Sequence, residues 1–262
     1  MDNRSIVFID SGIGGLPYCI DFFKKNPKEE ICYLADTENF PYGPRSSGEL
    51  ASILVKLTKK LLKKINPKII VIACNTATIA AIASLRQNFP KVPFVGTVPA
   101  LKSAAMSCSN KKIGVLGTER TIEEIRSLRL VDDTFEIHGI AAPELVEFIE
   151  KNFDITDETE KTEIVKKYIE LFRAANAGSI VLGCTHFLFL QDEFRREASP
   201  DIFVFDSIEG ITKRIEFLLD ENNGALRCEN DFYSENRLIL TGIEDTFWRS
   251  RAESLGFTIG KI

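Results

Sequence analysis

Histidine is scarce in this chain, and so are the cysteine spacings that mark metal and redox sites. Only two histidines occur among 262 residues, and the six cysteines include no CxxC pair. Zinc centres are built mainly from such residues at such spacings, so we expect no metal site. A chain of this length is also too long for a disulfide-stapled secreted scaffold, which favours reduced thiols in a cytoplasmic protein.

Long apolar runs and an excess of basic charge are also missing. No stretch of about 18 apolar residues is present, which excludes a membrane-spanning helix. The first apolar run, residues 6–9, is too short for a signal peptide. The formal net charge is −5, so we expect no nucleic-acid partner. These absences favour a cytoplasmic protein that acts on a small molecule.

Short apolar runs alternate with helical stretches along the whole chain, as in buried parallel sheets. Helices are predicted at residues 47–65, where Ser46 and Glu49 have capping-box spacing, and at residues 156–175, ending near Gly178. The fold class is therefore α/β, with mainly parallel sheets flanked by helices. Strands are predicted at residues 6–9, 31–35, 69–73, 113–116, 135–140, 180–182 and 202–205.

Two segments repeat one pattern. Residues 69–76 read IIVIACNT and residues 179–186 read SIVLGCTH, so each is a buried strand that ends in a cysteine. The repeat predicts two similar α/β lobes that face each other. We expect the first lobe to contain residues 1–96 and 207–262, and the second to contain residues 97–206.

The two cysteines of this repeat, Cys74 and Cys184, are the candidate reactive residues. Ligands of open α/β sheets bind outside the carboxyl ends of the strands, where both cysteines are placed. A lone cysteine is usually a small buried apolar residue, but small polar residues follow both of these. Two matched thiols suit removal of a proton from one face of a carbon and its return to the other. His186, close to Cys184, can accept or relay the thiol proton, whereas His138, in a strand-like stretch, is expected to be structural.

Two polar segments follow the first two strands. Residues 10–15, DSGIGG, predict a tight turn whose N–H groups can hold an anion, although the glycines can also serve the turn alone. Pro17 stands where a dinucleotide-binding motif needs glycine, which disfavours a nicotinamide enzyme. Residues 36–44 are long enough to reach over a site, although Asp36 is equally suited to a turn and Tyr42 to a half-buried anchor.

Four motifs, taken in order, carry a resemblance to a known family. They read DSGIGG, ADTENFPYG, ACNTAT and GCTH, and residues 241–257 fit the same family's ending. Together they closely resemble glutamate racemase over nearly the whole chain. The resemblance implies a two-lobed fold with the substrate between the lobes, and interconversion of L- and D-glutamate for peptidoglycan without pyridoxal phosphate or any other cofactor. A homodimer is compatible with this family, in which the oligomeric state varies.

The resemblance also implies roles for individual residues. Cys74 would exchange the α-proton of D-glutamate and Cys184 that of L-glutamate, with Asp10 and His186 as their assisting groups. Positions that match those holding the substrate are Ser11, Tyr42, Gly43, Asn75, Thr76, Thr118, Glu150 and Thr185.

The chain departs from the family pattern at three places. Phe187 and Leu188 stand where tyrosine and proline are expected, and Ala142 where cysteine is frequent. None of these changes removes a reacting group, but two alter the packing beside His186. Two alternatives stay open: an aspartate racemase of the same superfamily, expected to carry an acid where His186 stands, and a non-catalytic protein that binds an amino acid or a partner on this scaffold.

Overall fold

The structure is a computed structural model that describes residues 2–128, 132–228 and 236–262. It divides the chain into two compact units: unit 1 comprises Met1–Thr97 and Ile208–Ile262, and unit 2 comprises Val98–Ser207. Each unit has its own parallel sheet with helices beside it, which confirms the α/β prediction. No helix within the described ranges is long and apolar enough to cross a membrane.

The elements alternate strand and helix along most of the chain. The strands are β1 (Ile6–Asp10), β2 (Ile31–Ala35), β3 (Ile69–Ile72), β4 (Phe94–Gly96), β5 (Lys112–Gly117), β6 (Glu136–Ala141), β7 (Ser179–Leu182), β8 (Phe203–Phe205), β9 (Arg237–Leu240) and β10 (Thr258–Lys261). The α-helices are α1 (Leu16–Lys25), α2 (Ser47–Lys64), α3 (Asn75–Asn88), α4 (Leu101–Ser107), α5 (Glu119–Leu128), α6 (Pro143–Asn152), α7 (Glu158–Ala174), α8 (Gln191–Ala198), α9 (Ile208–Gly224) and α10 (Thr246–Leu255). Short 3₁₀ helices occupy Thr37–Asn39 and Thr185–Leu190, and the latter is called the 3₁₀ segment below.

Unit 1 is built on a six-stranded sheet in the order β10-β9-β2-β1-β3-β4. Every residue of β1, β2 and β3 is buried, because helices cover both faces of a parallel sheet. Helix α2 presents leucines at helical spacing, Leu50, Leu54, Leu57 and Leu61, to the apolar core. Its first turn is capped by the Ser46 side chain, which accepts a hydrogen bond from the Glu49 N–H at 3.2 Å, as the predicted capping box requires of its serine.

Unit 2 is built on a four-stranded parallel sheet in the order β6-β5-β7-β8. One predicted helix boundary in this unit is wrong: α7 begins at Glu158 rather than residue 156, because the Asp157 carboxylate caps the Glu160 N–H at 2.9 Å. The helix ends at Ala174, one residue before the predicted end, and Asn176 takes the left-handed conformation (φ 54°) just after it.

Parallel strands place their carboxyl ends along one edge of each sheet, and the predicted site residues follow these ends. Asp10 ends β1 and Asp36 follows β2, while Cys74 comes two residues after β3. In unit 2, Thr118 follows β5 and Cys184 comes two residues after β7. The topology therefore gathers the polar residues of each unit at its own sheet edge.

The opposite edge of the unit 1 sheet is held by a buried lysine. The ammonium of Lys68, which immediately precedes β3, is 2.5 Å from the Glu29 carboxylate, and both side chains are almost fully buried. It also donates to the backbone carbonyls of Asp2 at 2.7 Å and Leu226 at 2.8 Å. One side chain therefore ties together three segments distant in sequence.

Candidate active site

Cys74 lies where β3 turns directly into α3. It is the N-cap residue of this 14-residue helix, with extended backbone angles (φ −140°, ψ 123°), and its carbonyl accepts the Thr78 N–H at 2.8 Å. Its side chain is half-buried against the apolar core that includes Tyr42. Asn75 and Thr76 form the first helical turn and are buried. A thiolate at this position would face the positive end of a helix dipole.

Two threonines that sequence reasoning missed hold the turn around Cys74. The Thr78 hydroxyl donates to the Ile72 carbonyl at 3.1 Å and accepts the Thr97 N–H at 3.1 Å. The Thr97 hydroxyl reaches the same carbonyl at 3.3 Å. These bonds join the ends of β3 and β4 to the first turns of α3. Hydroxyl residues in buried turns offer only a weak signal in one sequence.

The glycine turn after β1 is held by hydrogen bonds and close packing within unit 1. The Asp10 carboxylate accepts the Ser11 N–H at 2.6 Å. The Gly15 N–H donates to the Tyr33 hydroxyl at 3.1 Å, which in turn donates to the Gly12 carbonyl at 2.7 Å. A Cβ on Gly15 would lie 2.7 Å from that of Ala73, so this glycine is required by close packing. The N–H of Gly15 therefore belongs to a structural bond.

Asp36 is the centre of the loop after β2. Its buried carboxylate accepts the Tyr42 hydroxyl at 2.7 Å, the Thr241 hydroxyl at 2.7 Å and the Asn39 amide at 3.0 Å. Burial, reinforced by this carboxylate, raises the pKa of Tyr42 well above its ordinary value, so the phenol keeps its proton. Gly43 follows in a half-buried turn. Asp36 fills the turn role and Tyr42 the anchor role that the sequence left open, but Tyr42 is fully buried rather than half-buried.

Cys184 occupies the matching position in unit 2, at the N-cap of the 3₁₀ segment. Its Sγ is 3.9 Å from Nδ1 of His186, and Nε2 of the same imidazole is 2.8 Å from the Glu150 carboxylate. The side chains of His186 and Glu150 are 6% and 13% exposed. The imidazole therefore connects a thiol to a carboxylate, an arrangement that can hold or pass a proton.

The surroundings of His186 favour its charged form. Burial by itself would lower the pKa of this imidazole, but its hydrogen bonds with Cys184 and Glu150 outweigh burial and raise the pKa to about 10. The ring is therefore an imidazolium at neutral pH. It is paired with the Glu150 carboxylate and can also pair with a Cys184 thiolate. The other histidine, His138 in β6, meets Phe172 edge-on with ring centroids 6.4 Å apart.

The remaining site candidates of unit 2 lie at helix starts. The Thr118 hydroxyl accepts the Thr121 N–H at 3.2 Å and lies 3.0 Å from the Thr121 hydroxyl, so it caps α5. Thr185 is the first residue of the 3₁₀ segment and is buried. Glu150 lies on α6 beside His186. Among the described residues, no group of three or more His, Cys, Asp and Glu could hold a metal ion.

The predicted site residues thus form one set in each unit. Asp10, Ser11, Tyr42, Gly43, Cys74, Asn75 and Thr76 lie at the strand ends of unit 1, and Thr118, Glu150, Cys184, Thr185 and His186 lie in unit 2.

Known proteins resemble this chain over nearly its whole length. The family model described as Asp/Glu/Hydantoin racemase matches residues 24–214. A glutamate racemase of Roseiflexus sp. is 35% identical over 247 residues, covering 93% of this chain and 89% of the relative. A glutamate racemase of Corynebacterium diphtheriae is 34% identical over 218 residues, covering 82% of this chain and 81% of the relative.

Solved structures agree with the sequence comparison. The glutamate racemase isoform RacE1 of Bacillus anthracis superposes with a TM-score of 0.84 at 28% identity, covering 100% of this chain and 98% of that one. The Escherichia coli glutamate racemase, solved with L-glutamate and the activator UDP-MurNAc-ala, gives 0.85 at 26% identity, with coverage of 99% and 98%. The resemblance seen in the four motifs is confirmed: this chain belongs to the Asp/Glu/Hydantoin racemase family and, within it, to the glutamate racemases, which are isomerases.

Proposed function

We propose that this chain interconverts L- and D-glutamate by a two-base transfer of the α-proton, using Cys74 and Cys184 as the bases. The observation that carries the proposal is the matched placement of the two thiols. Each follows a buried parallel strand at the N-cap of a helical segment, and Cys184 also lies beside the His186 imidazole. A structural cysteine needs neither feature.

The chemistry requires the two thiols to start in opposite protonation states. An ordinary thiol has a pKa of about 8.5, and only the thiolate is an effective base. For L-glutamate, the Cys184 thiolate takes the α-proton and the bond's electron pair moves into the carboxylate as an enediolate. The Cys74 thiol then returns a proton to the other face. The reverse order converts D-glutamate, and no electrons are gained or lost.

Hydrogen-bond donors must stabilise the enediolate, because an α-proton beside a carboxylate is very weakly acidic. Suitable hydroxyl or amide donors belong to Ser11, Asn75, Thr76, Thr118 and Thr185. The other positions proposed to hold the substrate are Gly43, through its backbone, Tyr42, whose hydroxyl already donates to Asp36, and Glu150. Glu150 already binds His186 through one oxygen, so we assign it mainly to orienting the imidazole. Thr118 caps α5 through the same hydroxyl that is proposed to meet the substrate.

The two thiols have different helpers in this mechanism. His186, held as an imidazolium by Glu150, stabilises the Cys184 thiolate and shares its proton. Asp10 ends β1, whose neighbour β3 leads to Cys74. A carboxylate beside a thiolate would repel it, so we assign Asp10 to relaying the proton rather than to pairing charge.

The proposed product, D-glutamate, would supply peptidoglycan synthesis, as the resemblance to glutamate racemases implies. We place the protein in the cytoplasm, where reduced thiols are the rule. All six cysteines, which lie within the described ranges, are present as thiols. The mechanism uses groups of the protein alone and calls for no bound cofactor.

The proposed function is tested by circular dichroism of the purified protein with D-glutamate and, separately, D-aspartate, under reducing conditions and without added cofactor. We expect the optical signal to decay with glutamate and to persist with aspartate. Decay with aspartate alone would identify an aspartate racemase. Persistence with both, together with no solvent deuterium entering the α-position by NMR, would identify a binding protein.

Replacing Glu150 by glutamine is expected to move the alkaline limb of the kcat/KM profile to lower pH. The carboxylate helps to raise the pKa of His186, so its loss lets the imidazolium lose its proton earlier as pH rises. The limb reports the proton shared by His186 and Cys184 as a pair. An unmoved limb, in a variant whose activity has changed, would contradict this role of Glu150.

The raised pKa of His186 also predicts how the free energy of unfolding depends on pH. The pKa of His186 is higher in the folded chain, about 10, than its ordinary value of 6.5. The imidazolium therefore contributes its full stabilisation below pH 6.5 and loses it as the pH rises through 10. Glu150→Gln should reduce stability more at pH 6 than at pH 11, as measured by urea unfolding.

A further inference from the structure

Helix α6 carries Glu150 and the 3₁₀ segment carries His186. These two elements also contact each other through a pair of aromatic rings. Phe153, at the C-terminal end of α6, and Phe189, in the 3₁₀ segment, have ring centroids 5.2 Å apart and planes at 65°. This is the edge-to-face geometry in which aromatic rings attract one another. Both rings are half-buried. Unlike Glu150 and His186, these phenylalanines have no part in the proton transfer.

The Glu150–His186 contact and the Phe153–Phe189 contact are one helical turn apart. Glu150 and Phe153 are three residues apart, and the helical backbone of α6 continues through Phe153 (φ −52°, ψ −42°), so both lie on one helix face. His186 and Phe189 are also three residues apart, which is one full turn of a 3₁₀ helix. The Glu150–His186 contact therefore lies one turn from the Phe153–Phe189 contact on both elements.

A third residue, Lys161, packs its ammonium group over the Phe153 ring. The ammonium of Lys161, on α7, lies 4.2 Å from the centroid of the Phe153 ring and 3.1 Å from the Glu158 carboxylate. A cation over a ring face attracts it, more strongly when the cation is shielded from water, and Lys161 is only 9% exposed. Helix α7 therefore fixes the position of Phe153 from the side.

The 3₁₀ segment depends on such packing for its position. Leu188 leaves its backbone without the fixed φ that a proline would give. The neighbouring Phe187 and Leu188 side chains are buried in the core. The ring pair of Phe189 with Phe153 is a contact between this segment and the helix that carries Glu150, in addition to the His186–Glu150 bond itself.

We infer that Phe153, Phe189 and Lys161 form a positioning cluster that sets the His186 imidazole against Glu150 and Cys184. The inference rests on the proposed function for its effect on racemisation, but its geometry can be tested without activity. It adds three positioning residues to the site, none of which touches the substrate in the proposed mechanism.

Phe153→Leu tests the cluster by removing the ring and keeping an apolar side chain. We expect kcat to fall by about tenfold with KM little changed, because small misplacements of a proton-transferring group slow the chemical step. We also expect the titration of His186, followed by NMR of ¹⁵N-labelled imidazoles, to move to lower pH as the ring leaves Glu150. Since the chain has only two histidines, His138 provides an internal reference that should not move.

Lys161→Met is the second variant, and it provides the test if Phe153→Leu fails to fold. Methionine removes the positive charge of Lys161 and keeps an aliphatic side chain of similar length. We expect a smaller fall in kcat, a few-fold, with the same direction of change at His186. Losing a nearby positive charge would by itself favour a protonated imidazole, so movement to lower pH reports displacement. Lys111→Met is the matched control, because Lys111 lies 5.9 Å from the Phe135 ring in the same unit.

The cluster is refuted if the folded variants keep the His186 titration of the wild type, whatever their activity. A fall in kcat without a change at His186 would mean that the rings support the fold alone. The proposed function fails separately, if the wild type racemises no glutamate, and the NMR titration would still decide whether the cluster positions His186.

Discussion

Cys184→Ser is expected to reduce racemisation of glutamate in both directions by about a thousandfold or more, and Cys74→Ser should do the same. A serine hydroxyl is a far weaker acid than a thiol, so it cannot form the required base near neutral pH. Both directions suffer because each turnover needs one base and one acid, and the equilibrium constant between enantiomers is one. Circular dichroism with D- and L-glutamate measures the loss.

The serine variants also show which thiol acts on which face of the α-carbon. With 3-chloroglutamate, removal of the α-proton expels chloride and forms a carbon–carbon double bond, so a single base suffices. We expect Cys74→Ser to release chloride from the L-configured analogue and Cys184→Ser from the D-configured one. The opposite pairing would overturn the assignment of the faces, and near-normal racemisation in either variant would overturn the two-thiol mechanism.

Cys228→Ser is the matched control for these substitutions. Its half-buried sulfur donates to the Asn3 side chain at 3.2 Å, away from the strand ends that carry the proposed bases. We expect its racemisation rate to equal that of the wild type. A loss comparable to that of the other two variants would show that serine acts through folding rather than through the base.

Lys68→Met is expected to destabilise unit 1 by about 3 to 5 kcal/mol, the usual result of breaking a buried ion pair from one side. The Glu29 carboxylate loses its countercharge, and the carbonyls of Asp2 and Leu226 lose their shared donor. Urea unfolding should show a lower midpoint. The single tryptophan, Trp248 on α10, is 5% exposed in the same unit, so its fluorescence reports this unfolding.

Lys213→Met provides the comparison for Lys68→Met. It removes the same charge from the same unit, but its ion pair with Glu209 is largely exposed (69% and 72%), and exposed pairs contribute little. We expect an unchanged midpoint. Equal effects of the two substitutions would mean that net charge, rather than the buried pair, controls stability.

Most of the fold could be predicted from sequence because its inner strands are continuous apolar runs. In the three strands that were not predicted, the apolar run is short or interrupted. β4 has only three residues, β9 is the four-residue run RLIL, and β10 reads TIGK with its first and last residues exposed. A short strand at or near a sheet edge is stabilised by its neighbour rather than by its own composition. For β9 that neighbour is β2, far away in the chain.

The site was predictable where it lies next to a strand end and not where it depends on distant partners. Cys74 and Cys184 are marked by an apolar run followed by polar residues. The contact of Glu150 with His186 spans 36 residues, and that of Thr241 with Asp36 spans 205. A single sequence carries no signal for such pairs, because hydrogen-bonding residues are common and their meeting is decided by the packing of α6 and β9.

The place of β9 in the sheet has a consequence for synthesis on the ribosome. Ile31 and Asn236, at the start of this pairing, share a hydrogen bond across 205 residues, and the whole of unit 2 is encoded between them. At the usual elongation rate, β2 remains an edge strand for on the order of 10 to 40 s after it leaves the exit tunnel. Unit 2 has all its described strands before β9 is made, so the unit that carries Cys184 can complete its sheet before β9 reaches β2 in unit 1.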